Sequence, residues 1–151
     1  MNYYRFKDEI TKTKMLSLST PNTKNSLWLL LDKTLYELCE NHPLHKDPQE
    51  VMAKICLIGR AYSAAIERRK NSKDTRGDFY NDYVVPTLIS SEIDDRLCEI
   101  KQFKYPTKEN SKLILSTHKY LQDLFEKITG MSKRSLASKY LHFHCPNLFY
   151  I

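Results

Sequence analysis

Glycine is scarce in this sequence, three residues in 151, alongside six prolines. Such a chain is poorly supplied for the turns of a β-sandwich, and it holds no Gly-rich loop to cradle a nucleotide. Long apolar runs are missing as well. The longest, Leu27 to Leu31, has five residues, where a membrane-spanning helix needs roughly 20. No apolar stretch follows the charged start Met1–Lys14, so the pattern of a secretory signal is absent. No two of the four cysteines (Cys39, Cys56, Cys98, Cys145) form a C-x-x-C pair. They read as reduced thiols, mostly small buried hydrophobes, in a cytoplasmic protein. What is there is ordinary for a folded domain: 41% apolar and 28% charged residues, with leucine, isoleucine and tyrosine recurring along the chain. The expectation is an all-α, single-domain bundle over residues 1–151, with about six helices and no membrane segment.

The apolar spacing gives the helices. Leu27, Leu31, Leu35 and Leu38 make one stripe, closed by His42-Pro43. Asp47-Pro48-Gln49-Glu50 is a helix start, with a capping Asp, Pro at the first helical position and Glu in the first turn. The helix it opens carries Val51, Ile55, Ile58, Tyr62 and Ile66. Small residues around that stripe (Gly59, Ala61, Ser63, Ala64, Ala65) would let another backbone come close. Residues 71–77 read as a polar loop, and 79–89 as a short helix bent at Pro86. Ser90 or Ser91 caps a helix with Ile93, Leu97 and Ile100. Thr107 opens the longest segment, which Gly130 ends as a left-handed cap. Ser132 caps a last helix holding Leu136, Tyr140 and Leu141.

Twenty-four Lys and Arg against eighteen Asp and Glu give a formal charge of +6. That excess favours a polyanionic partner without requiring one. The densest basic patch is Arg68-Arg69-Lys70, with Lys73 and Arg76. It either complements a helix end or, with Lys133, Arg134 and Lys139, makes a groove for phosphates. Tyr80 and Tyr83 follow this patch and could stack on bases.

The stretch Ile128-Thr129-Gly130-Met131-Ser132-Lys133-Arg134-Ser135-Leu136-Ala137 ends one helix on a glycine and starts another at once, beside two cations. A turn of this kind aims backbone N–H groups outward at a helix N-terminus, where the dipole favours an anion. In residue order it resembles the helix-hairpin-helix motif of the DNA glycosylase superfamily that includes endonuclease III. That motif reads Leu-Pro-Gly-hydrophobic-Gly-x-x-Thr-Ala and holds DNA phosphate on the hairpin amides. Ile128 stands for its Leu, Thr129 for its Pro, Gly130 for its first Gly, Met131 for the hydrophobic residue and Ser135 for the Thr. The resemblance is specific to this C-terminal stretch and topological elsewhere. It implies DNA as partner, held by Gly130, Met131, Ser132, Lys133 and Arg134; the basic patch adds Arg68, Arg69 and Lys70 to the expected binding set, and no cofactor is expected.

Three departures accompany it. Ser132 stands where the second motif glycine belongs. Arg134 stands where bifunctional members carry a Schiff-base lysine, and a guanidinium stays protonated and is a poor nucleophile. Family spacing puts the catalytic Asp at or just beyond Ile151, and no acid follows Glu126. The catalytic set is therefore expected to be incomplete in this chain, whether through truncation or because the chain is a non-catalytic relative.

Other constellations are open to two readings. Cys39-x-x-His42-x-x-His45 and His142-x-His144-Cys145 are half-sites that could hold zinc only if the fold joined them; the expectation is no metal. The pair His142/His144 could serve a helical ribonuclease or defence-type toxin, although Arg134 and His142 lie further apart than the Arg–His pair of one all-helical ribonuclease class. Glu92-Ile93-Asp94-Asp95 reads as a solvated cap in a helix's first turn. A non-catalytic protein-interaction module is the remaining alternative.

Overall fold

A computed structural model describes residues 26–68 and 77–151. Residues 1–25 and 69–76 lie outside it, so the expected loop at 71–76 and the basic residues Arg69, Lys70, Lys73 and Arg76 fall outside the described residues. The described residues are all-helical, with no strand among them. The chain divides into two units, Met1–Thr34 and Leu35–Ile151.

Six α-helices follow in order: α1 (Ser26–Asn41), α2 (Pro48–Ala61), α3 (Val85–Ile89), α4 (Ile93–Lys101), α5 (Ser111–Thr129) and α6 (Arg134–His144). None is both long and apolar enough to cross a membrane. Within the larger unit, α6 packs on α2 and α5, α2 also packs on α3, and α4 packs on α5. The C-terminal helix thus lies at the centre, and Leu136, Ala137, Tyr140, Leu141, Phe143 and His144 are all buried.

Local chemistry accounts for several of the ends. Asp47 caps α2 by accepting from the N–H groups of Gln49 (2.8 Å) and Glu50 (3.1 Å), and Pro48 enters where its missing N–H costs nothing. Before α5, Thr107 and Asn110 bond reciprocally, Thr107 N–H to Asn110 Oδ1 at 2.7 Å and Asn110 N–H to Thr107 Oγ1 at 3.3 Å. The helix proper then begins at Ser111, one turn after Thr107. Gly130 ends α5 in the left-handed region, φ 70° and ψ 11°. A side chain at that φ is strained, so Gly130→Val is expected to cost about 1 kcal/mol or more, read as a lower urea midpoint.

Four expectations need correction. The stripe of α2 stops at Ala61, because Ser63 turns to φ 54°. Ile66 is buried from the following turns rather than from the helix. The backbone that approaches Gly59 is the chain's own: a Cβ there would sit 3.1 Å from Ala65 Cα. Residues 79–89 are irregular before Pro86, not at it. Tyr80–Val84 forms a π-helical turn in which Tyr80 C=O accepts from Val85 N–H. Pro86 has no N–H to offer the carbonyl of Asp82, and the wider turn absorbs that gap. Ser132 does not cap α6. The position before the helix is Lys133, and the Ser132 hydroxyl instead accepts from Gln122 Nε2 at 2.9 Å.

Candidate functional site

The hairpin joins α5 to α6 across Gly130–Lys133. Gly130 N–H closes α5 on Glu126 C=O at 2.7 Å, and Met131 N–H donates to Thr129 Oγ1 at 3.2 Å. Thr129 Oγ1 donates in turn to Phe125 C=O at 2.8 Å, so the residue at the motif's Pro position ties the turn to the last turn of α5. No side chain caps the start of α6. Its first amides keep the partial positive charge of an uncapped N-terminus, next to Lys133 and the exposed Arg134.

Another basic residue, Arg68, comes alongside. The ammonium of Lys133 donates to the main-chain carbonyl of Arg68 across 65 positions of sequence. Arg68 is exposed, and its guanidinium donates to Ser63 C=O at 2.9 Å, leaving further N–H groups of its five-donor fork. Of the expected binding set, Gly130, Met131, Ser132, Lys133, Arg134 and Arg68 therefore share one neighbourhood. Arg69 and Lys70 are outside the described residues. Tyr83 is exposed, whereas the Tyr80 hydroxyl is engaged, donating to Glu67.

Inside the larger unit the fold builds a polar cluster that local pattern did not announce. His45 is buried, and the Asp94 carboxylate accepts from its main-chain N–H (2.9 and 3.1 Å) and from Nδ1 (2.6 Å). A carboxylate only accepts, so Nδ1 carries the proton. Nε2 is then an acceptor, and it takes the hydroxyl proton of fully buried Tyr140 at 2.7 Å. Burial and the Lys54 ammonium push the His45 pKa down to about 4, against the opposing pull of Asp94. Burial also presses the Asp94 pKa upward, but the hydrogen bonds from His45 and the charge of Lys54 act against it, and the carboxyl is held below its ordinary range. Lys54 is itself buried, and its ammonium donates to the carbonyls of His42 and Leu44 at 2.7 Å each. That pins the loop carrying His45 to α2. Asp94 is accordingly no solvated cap.

His144 stacks between Tyr140 and His45, with ring centroids 5.0 and 5.1 Å away. It is 94% buried, and neither ring nitrogen has a hydrogen-bond partner among the described residues. Burial holds its pKa well below the ordinary value, with Lys54 and Lys101 acting in the same direction. The ring borders a pocket of about 410 Å³ that Cys39 and Cys145 also line. Burial raises both thiols, Cys39 to about 12 and Cys145 to about 11. Of the two zinc half-sites, Cys39, His45, His144 and Cys145 come into this region while His42 pairs with Glu50, and among the described residues no group of three is arranged to hold a metal ion. His45 has spent both its nitrogens.

His142 is engaged elsewhere. Its Nδ1 donates to Phe149 C=O at 2.7 Å, and its Nε2 accepts from the Tyr36 hydroxyl at 2.5 Å. His142 and His144 thus meet different neighbours. Of the other thiols, Cys56 is half-buried and Cys98 is exposed, against the expectation of mostly buried cysteines only in those two.

Two signals in the sequence could have pointed to the inner cluster. Lys54 interrupts an otherwise apolar stripe at 51, 55 and 58, so its ammonium had to find partners inside. Asp94 follows Ile93 on a face that packs inward. No family model matches the chain, and no match to it is found among curated proteins or solved structures.

Proposed function

We propose that the protein binds the sugar–phosphate backbone of DNA through the hairpin between α5 and α6. The observation that carries this reading is the bond from Lys133 to the Arg68 carbonyl, which brings the hairpin cations beside a third basic residue of distant sequence. The start of α6 supports it, since no side chain caps it and its first amides stay polarised beside those cations, although the Gly130 and Met131 N–H groups of the turn are bonded to Glu126 C=O and Thr129 Oγ1. Contacts of this kind position a duplex without reading its bases, so binding is weak and non-specific. Arg134 in the place of an imine-forming lysine argues for binding without strand cleavage through a Schiff base.

Fluorescence anisotropy on a duplex at low salt tests the proposal. Lys133→Ala with Arg134→Ala is expected to weaken binding and flatten the salt dependence by about two phosphate contacts, while leaving the fold intact. Unchanged affinity in that double variant would sink the reading. Borohydride trapping on abasic DNA is expected to give no covalent complex, and a trapped adduct would require another nucleophile.

A further inference from the structure

α1 is apolar where it begins, and its apolar side chains there face outward. Leu27, Trp28 and Leu30 are 69%, 60% and 57% exposed, and Leu31 is half-buried. At about 3.6 residues per turn these four fall on one side of the helix, with Leu29 opposite. Leu35, on the same stripe one turn later, is buried, so the exposure is confined to the start of the helix. Large apolar residues bared in succession make a patch, unlike the single exposed leucines that any surface carries. The charge around this patch has one sign. From position 10 to position 31 the sequence holds Lys12, Lys14 and Lys24 and no acid; Glu9 and Asp32 bound that run.

We propose that the start of α1 docks on an anionic phospholipid membrane, with Leu27, Trp28, Leu30 and Leu31 entering its surface. The helix lies on the bilayer and does not cross it, because it is not long and apolar enough to do so. Apolar side chains settle at the boundary between headgroups and acyl chains, an indole suits that boundary, and lysines are drawn to anionic headgroups. The two features together disfavour other occupants. Exposed leucines gain little against the phosphates of a nucleic acid, which are met by cations and polar groups. A second copy laid on the same face would bring both sets of lysines together, like charge against like.

Trp28 is the sole tryptophan of the chain, so its fluorescence reports on this face alone. Titrating the full chain with vesicles of mixed phosphatidylcholine and phosphatidylserine is expected to move its emission to shorter wavelength, saturably and less so as salt is raised. Pure phosphatidylcholine vesicles are expected to bind at least about tenfold more weakly. Leu27→Gln with Leu30→Gln keeps the reporter and is expected to weaken binding to the mixed vesicles by about tenfold or more. Lys12→Gln, Lys14→Gln and Lys24→Gln together are expected to weaken it by a similar factor. No shift on the mixed vesicles, an equal shift on the neutral ones, or unchanged binding in either variant would overturn the proposal. A comparable shift on duplex DNA would put nucleic acid on this face and overturn it too. So would a lipid-free, concentration-dependent shift accompanied by a dimer in sedimentation equilibrium, which would put a second copy there. If the leucine variant fails to fold, the lipid, salt and lysine results decide. The DNA affinity of the hairpin does not enter these readouts.

Discussion

Asp94→Ala is expected to lower the stability of the fold by about 3 kcal/mol, in the range for stranding buried donors that had a charged partner. The carboxylate accepts from two donors of one residue, the main-chain N–H and Nδ1–H of His45, and both would be left without it. His45 could not simply turn to water, because it is 99% buried and its far nitrogen is held by Tyr140. Tyr140→Phe should cost less, about 1–2 kcal/mol, since it removes a single neutral bond. Urea unfolding followed by far-ultraviolet circular dichroism would measure both. If the two residues act through His45, the double variant should cost less than the sum of the single ones. Losses under 0.5 kcal/mol for Asp94→Ala, on the order of an exposed-site change, would mean that the cluster does not hold the loop to α4.

The second large effect is a loss of stability in mild acid. His45 in the fold has its pKa lowered from 6.5 to about 4. As pH falls through 6.5 the unfolded chain takes up a proton that the fold refuses until about 4. Stability from the neutral ring is complete above the unfolded value and drains away across that window. The difference corresponds to about 3 kcal/mol. His144 is also shifted downward and adds loss of the same sign. Asp94 behaves separately: its lowered pKa gives stability that is complete above the ordinary carboxyl value and lost only at still lower pH. Urea midpoints measured from pH 7.5 to 4.5 should therefore fall steadily, and His144→Phe should make the fall shallower. A flat profile over that range would contradict a neutral, buried His45.

The features legible in the sequence are those set within a few residues. Asp47-Pro48 and Gly130 mark helix ends because a cap or a left-handed φ depends on the residue itself and its nearest amides. The stripe 51, 55, 58 is legible because helical periodicity and burial coincide there. Ser132 shows where such reasoning stops. It has the right side chain in the right place for a cap, but Gln122, ten positions earlier, takes its hydroxyl. The inner cluster shows locally only as Lys54 within an apolar stripe and Asp94 beside Ile93; its pairings have no local signature, since His45 meets Asp94 across 49 positions and Tyr140 across 95. Of the hairpin surface, Lys133 with Arg134 and, far upstream, Arg68 are legible as basic residues. That Arg68 lies beside Lys133 depends on how α6 seats against α2, which no window of sequence contains.

The central seat of α6 has a consequence for the order in which the chain can become folded during its synthesis. Residues 48–129 can be made and can form helices, but α2 and α5 have no common partner until residues 134–144 leave the ribosome. Until then the apolar faces of Ile55, Ile58, Leu121 and Phe125 stay open, while His45 and Asp94 lack the tyrosine that completes their chain of bonds. Completion then requires contacts far apart along the chain, the kind that close slowly. During that interval the open apolar faces are exposed to aggregation, and that exposure ends when α6 docks.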